Sequence, residues 1–143
     1  MAAGIVWDFR TSNRANPQLT PVDGTASGLD LTAAGGATSG SNGADVFTIS
    51  SSPASPRILH ILTVSIDQCT AGAIITLRMY MKKRSTDTAL TEFYNVEFIK
   101  DNSPDLLPLI SGTLAVMSNL RIEMESDNVA DNNVDVDYSY IRE

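Results

Sequence analysis

Alternation with a period of two is the feature that most restricts this chain. From Val46 onward, one short segment after another places apolar side chains at every second position, and no stretch keeps the 3.6-residue spacing of an amphipathic helix. Successive side chains of a strand point to opposite faces, so each such segment has one face for a core and one for water. Residues 73–83 set Ile75, Leu77, Met79 and Met81 against Thr76, Arg78, Tyr80 and Lys82, and residues 91–100 set Tyr94, Val96 and Phe98 against Asn95 and Glu97. Residues 119–126 carry Leu120, Ile122 and Met124 inward with Arg121, Glu123 and Glu125 outward. Residues 133–141 repeat the pattern, with Val134, Val136, Tyr138 and Tyr140 against Asp135, Asp137 and Ser139.

Two segments depart from strict alternation. Residues 57–67 are apolar on both faces, with Ile58, His60, Leu62, Val64 and Ile66 on one and Leu59, Ile61, Thr63 and Ser65 on the other. That is the pattern of a central strand buried on both sides. Residues 106–117 are apolar but broken by Pro108 and Gly112, and because proline cannot donate to a ladder the segment belongs at a sheet edge or a bulge. Polar turns fall at 68–72, 85–88 and 101–105. Seven or eight short strands without crossover helices predict an all-β fold, an antiparallel β-sandwich or jelly-roll-like barrel with an extended N-terminal segment.

A chain of 143 residues with 43% hydrophobic side chains has enough apolar surface for one core and is expected to be one domain. Within it, residues 1–45 differ in texture from the sandwich core expected over 46–143. Ile5, Val6, Trp7 and Phe9 read as a short strand, and Asn16, Pro17 and Pro21 punctuate the chain after it. Residues 23–45 are mostly small and turn-forming, so a mobile loop or arm is expected there. The opening run has neither the basic start nor the apolar stretch of a signal peptide, and no later run is long enough to cross a bilayer, so synthesis in a cytoplasm is expected with no membrane partner. The single cysteine, Cys69, excludes an intrachain disulfide and a thiolate metal cluster within one chain.

The net charge of −7 is unevenly placed: residues 101–143 hold nine acids against Arg121 and Arg142, whereas residues 1–100 hold eight of each sign. Such a balance opposes binding to a phosphate backbone, so nucleic acid is not an expected partner.

No catalytic template finds a match. His60 is the only histidine and lies in the apolar segment 57–67, where a core ring bonded to a backbone oxygen is expected. A multi-histidine metal site is excluded by counting, and a serine or cysteine nucleophile would depend on that one ring. The carboxylate pairs Glu123/Glu125 and Asp135/Asp137 are two residues apart on strands, so each pair projects from one face and reads as solvated surface. Asp131, Asn133 and Asp135 have the spacing of the first calcium-loop ligands, but Val136 and Arg142 stand where that loop needs glycine and glutamate. A looser arrangement of Asp127, Asp131 and Asp135 is the alternative, and no metal site is assigned. There is no glycine-rich phosphate loop, and no cofactor is expected. Two features are left: Trp7, with Phe9, reads as packing on the core or, alternatively, as an aromatic anchor for a neighbouring subunit, and Lys82, Lys83 and Arg84, a basic hairpin tip, read as solubility and edge protection or, alternatively, as a dock for an acidic surface.

The order Leu77-Arg-Met-Tyr-Met81, Phe93-Tyr-Asn-Val-Glu-Phe98, Leu109-Ile-Ser-Gly-Thr-Leu114, Leu120-Arg-Ile-Glu-Met-Glu-Ser-Asp127 and Val136-Asp-Tyr-Ser-Tyr140 resembles small virion structural proteins of tailed bacteriophages, over residues 57–143. These are strand patterns, and no functional residue is carried across. The resemblance implies a non-enzymatic capsid decoration, or cement, protein: a β-rich homotrimer on the capsid surface of the virion, partnered with itself and with the major capsid protein. The alternatives are a tail or fibre component, or a carbohydrate-binding β-sandwich whose rings would come from Tyr80, Tyr94, Tyr138 and Tyr140.

Overall fold

The structure, a computed structural model, describes residues 18–34, 42–52 and 56–143. Among these, eight strands form: β1 (Thr20–Leu29), β2 (Ala44–Ile49), β3 (Arg57–Ser65), β4 (Ile74–Met81), β5 (Thr91–Ile99), β6 (Leu106–Val116), β7 (Leu120–Ser126) and β8 (Val134–Arg142). They make two antiparallel sheets, in the orders β1-β8-β3-β6 and β2-β7-β4-β5. The ladders join first strand to last and work inward: β1 with β8, β2 with β7, β3 with β6, β4 with β5. The chain is thus one long two-stranded ribbon, closed at the β4–β5 turn and rolled so that alternate ladders fall in opposite sheets. That is the topology of an eight-stranded jelly roll, and the all-β sandwich read from the alternation is the observed fold.

The core lies between the sheets, where the inward residues of β4 (Ile75, Leu77, Met79), β7 (Leu120, Ile122, Met124) and β8 (Val134, Val136) are all buried. Pro108 sits on β6, an edge strand, where a missing donor costs nothing.

Two expectations need correction. β3 is not buried on both faces. Its ladders to β6 and to β8 both shift register between His60 and Leu62, the mark of a bulge. Leu59 before the bulge and Leu62 and Val64 after it are fully buried, while the extra residue Ile61 is 51% exposed with φ 45°. The run looks two-sided in sequence because the inward phase changes inside it. Consequently His60 is no core residue; its ring lies on the outer face, 29% exposed.

The sandwich also begins earlier than Val46. Residues 20–29, expected in part as a loop, form the edge strand β1 in register with β8, and Leu31 is fully buried. Small residues suit this strand because a large neighbour fills the space: a Cβ on Gly24 would lie 2.6 Å from the hydroxyl and 2.8 Å from Cζ of Tyr138. Tyr138 in turn stacks on Phe47 of β2 at 4.1 Å, and Tyr140 lies 5.7 Å from the same ring. Phe47 therefore joins the two sheets along the β1/β2 side.

Candidate functional site

The outer face of the β1-β8-β3-β6 sheet carries a shallow polar depression. Because Val134, Val136 and Tyr138 turn inward from β8, Asp135, Asp137 and Ser139 turn outward, beside Asp23 and Thr25 of β1 and Thr63 of β3. Thr25 Oγ1 donates to Asp137 Oδ1 at 2.5 Å, the Thr63 and Ser139 hydroxyls lie 2.8 Å apart, and the Gly28 N–H donates to Asp135 Oδ1 at 2.8 Å. Asp23, Thr25, Thr63, Asp137 and Ser139 line a space of about 380 Å³, bounded by Leu106 and Tyr138. Carboxylates and hydroxyls in this arrangement can exchange hydrogen bonds with a polyol. The histidine is elsewhere: His60 Nε2 lies 3.0 Å from Glu143 Oε2 and Nδ1 lies 3.2 Å from Thr113 Oγ1.

The opposite outer face holds an ionic network. Arg78 of β4 donates from Nη1 to Glu123 Oε1 at 2.9 Å and from Nη2 to Glu125 Oε2 at 2.5 Å, and its Nε lies 3.8 Å from Glu92 Oε2. Tyr80 adds a hydroxyl donor to Glu123 Oε1 at 3.1 Å. Burial by itself lowers the Arg78 pKa, but the hydrogen bonds and charges of Glu125 and Glu123 outweigh it and hold the guanidinium above its ordinary value. Glu123 is fully buried, which corrects the reading of Glu123 and Glu125 as a solvated pair. The reason is the cross-strand register Arg78↔Glu123, which lays a long cation over the carboxylate. Nearby, Arg121 pairs with Asp45 Oδ2 at 2.9 Å, while desolvation, reinforced by the Glu123 charge, raises the Asp45 pKa despite Arg121.

The acidic residues at the β7–β8 turn are tied to separate partners. Asp131, 1% exposed, accepts from Thr70 N at 2.8 Å and Thr70 Oγ1 at 2.6 Å on one oxygen, and from Ser126 Oγ at 2.5 Å on the other. Its backbone carbonyl accepts from Leu31 N, so this one residue fastens the β1–β2, β3–β4 and β7–β8 connections. Asp127 instead accepts from Ile74 N and Asp135 from Gly28 N. The three carboxylates suggested by calcium-loop spacing thus serve three different hydrogen-bonded links.

Lys82, Lys83 and Arg84 occupy the β4–β5 turn, as the alternation implied. The backbone N–H of Lys82 donates to Ser118 Oγ of the β6–β7 turn at 3.2 Å, and the Arg84 guanidinium is held by Asp87 at 3.0 Å, so one of the three basic side chains is tied within the turn itself. Trp7 and Phe9 lie outside the described residues. Cys69 is 5% exposed, and desolvation, with the nearby Asp131 charge, pushes its thiol up to about 12, far from a nucleophile's range. The four tyrosines are not gathered into one platform: Tyr138 and Tyr140 stack against Phe47, Tyr80 is buried on the other sheet, and Tyr94 packs on the core. The contribution of Asp23 and Thr25 is missed in sequence because residues 23–45 read as loop. The only signal for them is the weak alternation of Val22, Gly24 and Ala26 with polar neighbours. Compared with known proteins, the chain matches no family model, no curated protein and no solved structure.

Proposed function

We propose that this chain is a non-enzymatic structural subunit, of the kind that decorates and cements the capsid surface of a tailed-phage particle, with the major capsid protein and further copies of itself as partners. The observation that carries the reading is the jelly-roll topology, an architecture used for capsid domains, together with the resemblance over residues 57–143. The polar side chains best placed for chemistry serve the fold instead: Glu123 holds Arg78, Asp131 holds the turns, and His60 lies against Thr113 and Glu143. Binding would then proceed by burial of apolar surface and strand addition at exposed edges. Particles purified on a density gradient from the source of this sequence, digested and measured by mass spectrometry, test it. Recovery of this chain in fixed ratio to the shell protein is expected, and its presence in the lysate but absence from the particles would overturn the reading.

The hydroxyl- and carboxylate-lined depression favours a second reading, a carbohydrate-binding module, since jelly rolls also serve as lectin domains. Binding on a glycan array that Asp137→Ala and Thr63→Val abolish would support it over the first.

A further inference from the structure

Of the four sheet edges, three are blunted. β1 carries Pro21 and an irregularity between Ala26 and Leu29, β2 has six residues with a bulge between Asp45 and Phe47, and β6 carries Pro108 beside two register shifts. Such features oppose pairing with another chain. β5 is interrupted only near its start: its register with β4 shifts between Glu92 and Tyr94, but it contains no proline or lysine, residues 94–99 run in unbroken register, and among the described residues its only ladder is to β4.

The orientation of this edge follows from one bond. Lys100 N donates to Ala73 O, next to the pair Ile99↔Ile74, so stepping by two makes Phe98, Val96 and Tyr94 the residues bonded to β4. The main-chain groups of Asn95, Glu97 and Ile99 therefore face outward. A second β5 can join antiparallel about a two-fold axis only in a register that sets outward residues opposite outward residues, which puts one residue opposite its own copy.

We propose that β5 pairs with β5 of a second copy about a two-fold axis through Val96, merging the two β2-β7-β4-β5 sheets into one. Around that axis the strand is palindromic in chemistry. Phe93 falls opposite Ile99 of the other copy, Tyr94 opposite Phe98, and Asn95 opposite Glu97. Shifting the axis to Asn95 sets Phe93 against Glu97, and shifting it to Glu97 sets two like charges face to face, which disfavours both. The Val96 register also accounts for three large apolar side chains left in water, Phe93 at 45%, Ile99 at 44% and Ile74 at 39%. Ile74 lies beside Ile99 in the β4–β5 ladder, so Phe93 of one copy, then Ile99 and Ile74 of the other, form a single cross-strand row. Phe93 has no opposite residue on β4, being skipped where the register passes from Tyr94 to Glu92, and its ring is turned outward. The contact is isologous and closes at two copies. It deepens the self-association expected of a particle subunit but rests on the β5 edge alone.

The full chain carrying Val96→Cys, mildly oxidised, tests the register. In an antiparallel pair that exchanges no hydrogen bonds, self-opposed residues sit about 4.5 Å apart at Cα, within disulfide reach. Nearly complete conversion to a covalent dimer is expected, while Asn95→Cys and Glu97→Cys form little cross-linked dimer and buried Cys69 does not compete. Unmodified protein should scatter light as twice the 15.3 kDa chain. Asn95→Pro, which removes an outward donor without touching the β4 ladder, should scatter as one chain with its melting transition kept. A monomer at all concentrations, a trimer in which the thiol introduced by Val96→Cys stays reduced, or cross-linking of the Asn95→Cys variant instead would each overturn the proposal. Because none of these readings involves particles, a dimer absent from particles would sink only the functional reading, and a particle protein without the cross-link only this one.

Discussion

The two long sides of the sandwich are built differently. On the β1/β2 side the edges touch, Phe47 reaches across to stack on Tyr138 and Tyr140, and Gly24 and Gly43 allow the close approach of neighbouring groups. On the β5/β6 side no comparable bridge is found among the described residues, and Phe93, Ile99 and Leu106 stand exposed. A jelly roll has edges on both sides because its sheets do not close on each other. Here one side is sealed within the chain, and the other keeps its backbone donors and apolar side chains available.

From that contrast, substitutions on the sealed side should cost stability and those on the open side association. The largest effect is expected at Gly43, where φ is +107° and an added Cβ would stand 2.3 Å from the Met124 carbonyl oxygen. Backbone strain and steric overlap together predict that Gly43→Ala lowers unfolding free energy by about 4 kcal/mol in urea denaturation. Phe47→Ala removes the ring shared by two tyrosines and should cost about 3 kcal/mol in the same measurement. Between the two sides, Ile61 holds a left-handed conformation unfavourable to a β-branched residue. Relief of about 1–2 kcal/mol of strain exceeds the loss of a half-buried side chain, about 1 kcal/mol, so Ile61→Asn should raise the urea midpoint slightly. On the open side, Phe93→Thr should change unfolding of the isolated chain by less than about 0.5 kcal/mol. It should nevertheless move the concentration at which the scattered mass halves, and equal losses from Phe93→Thr and Phe47→Ala would erase the contrast.

Much of the fold is legible in the sequence because period-two alternation is a local property. In β4, β7 and β8 the inward residues are those the pattern assigns, since nothing interrupts the pleat. β3 and β1 escape the pattern for opposite reasons. In β3 a bulge reverses the phase within an apolar run. In β1 the alternating residues are too small to register, their space being filled by Tyr138 from a strand more than a hundred residues away. The polar depression is hidden with β1, and the burial of Glu123 depends on a cross-strand arginine that no spacing along the chain reveals.

The sequence by itself determined the strand content, the inward faces of the regular strands, the exposed basic turn, and the lack of a histidine set for catalysis. Which strands became edges, which edge was interrupted only at its start, and which carboxylates were desolvated were decided only by the tertiary structure. Alternation fixes where a side chain points relative to its own strand, whereas pairing, bulges and burial depend on what arrives from distant parts of the chain.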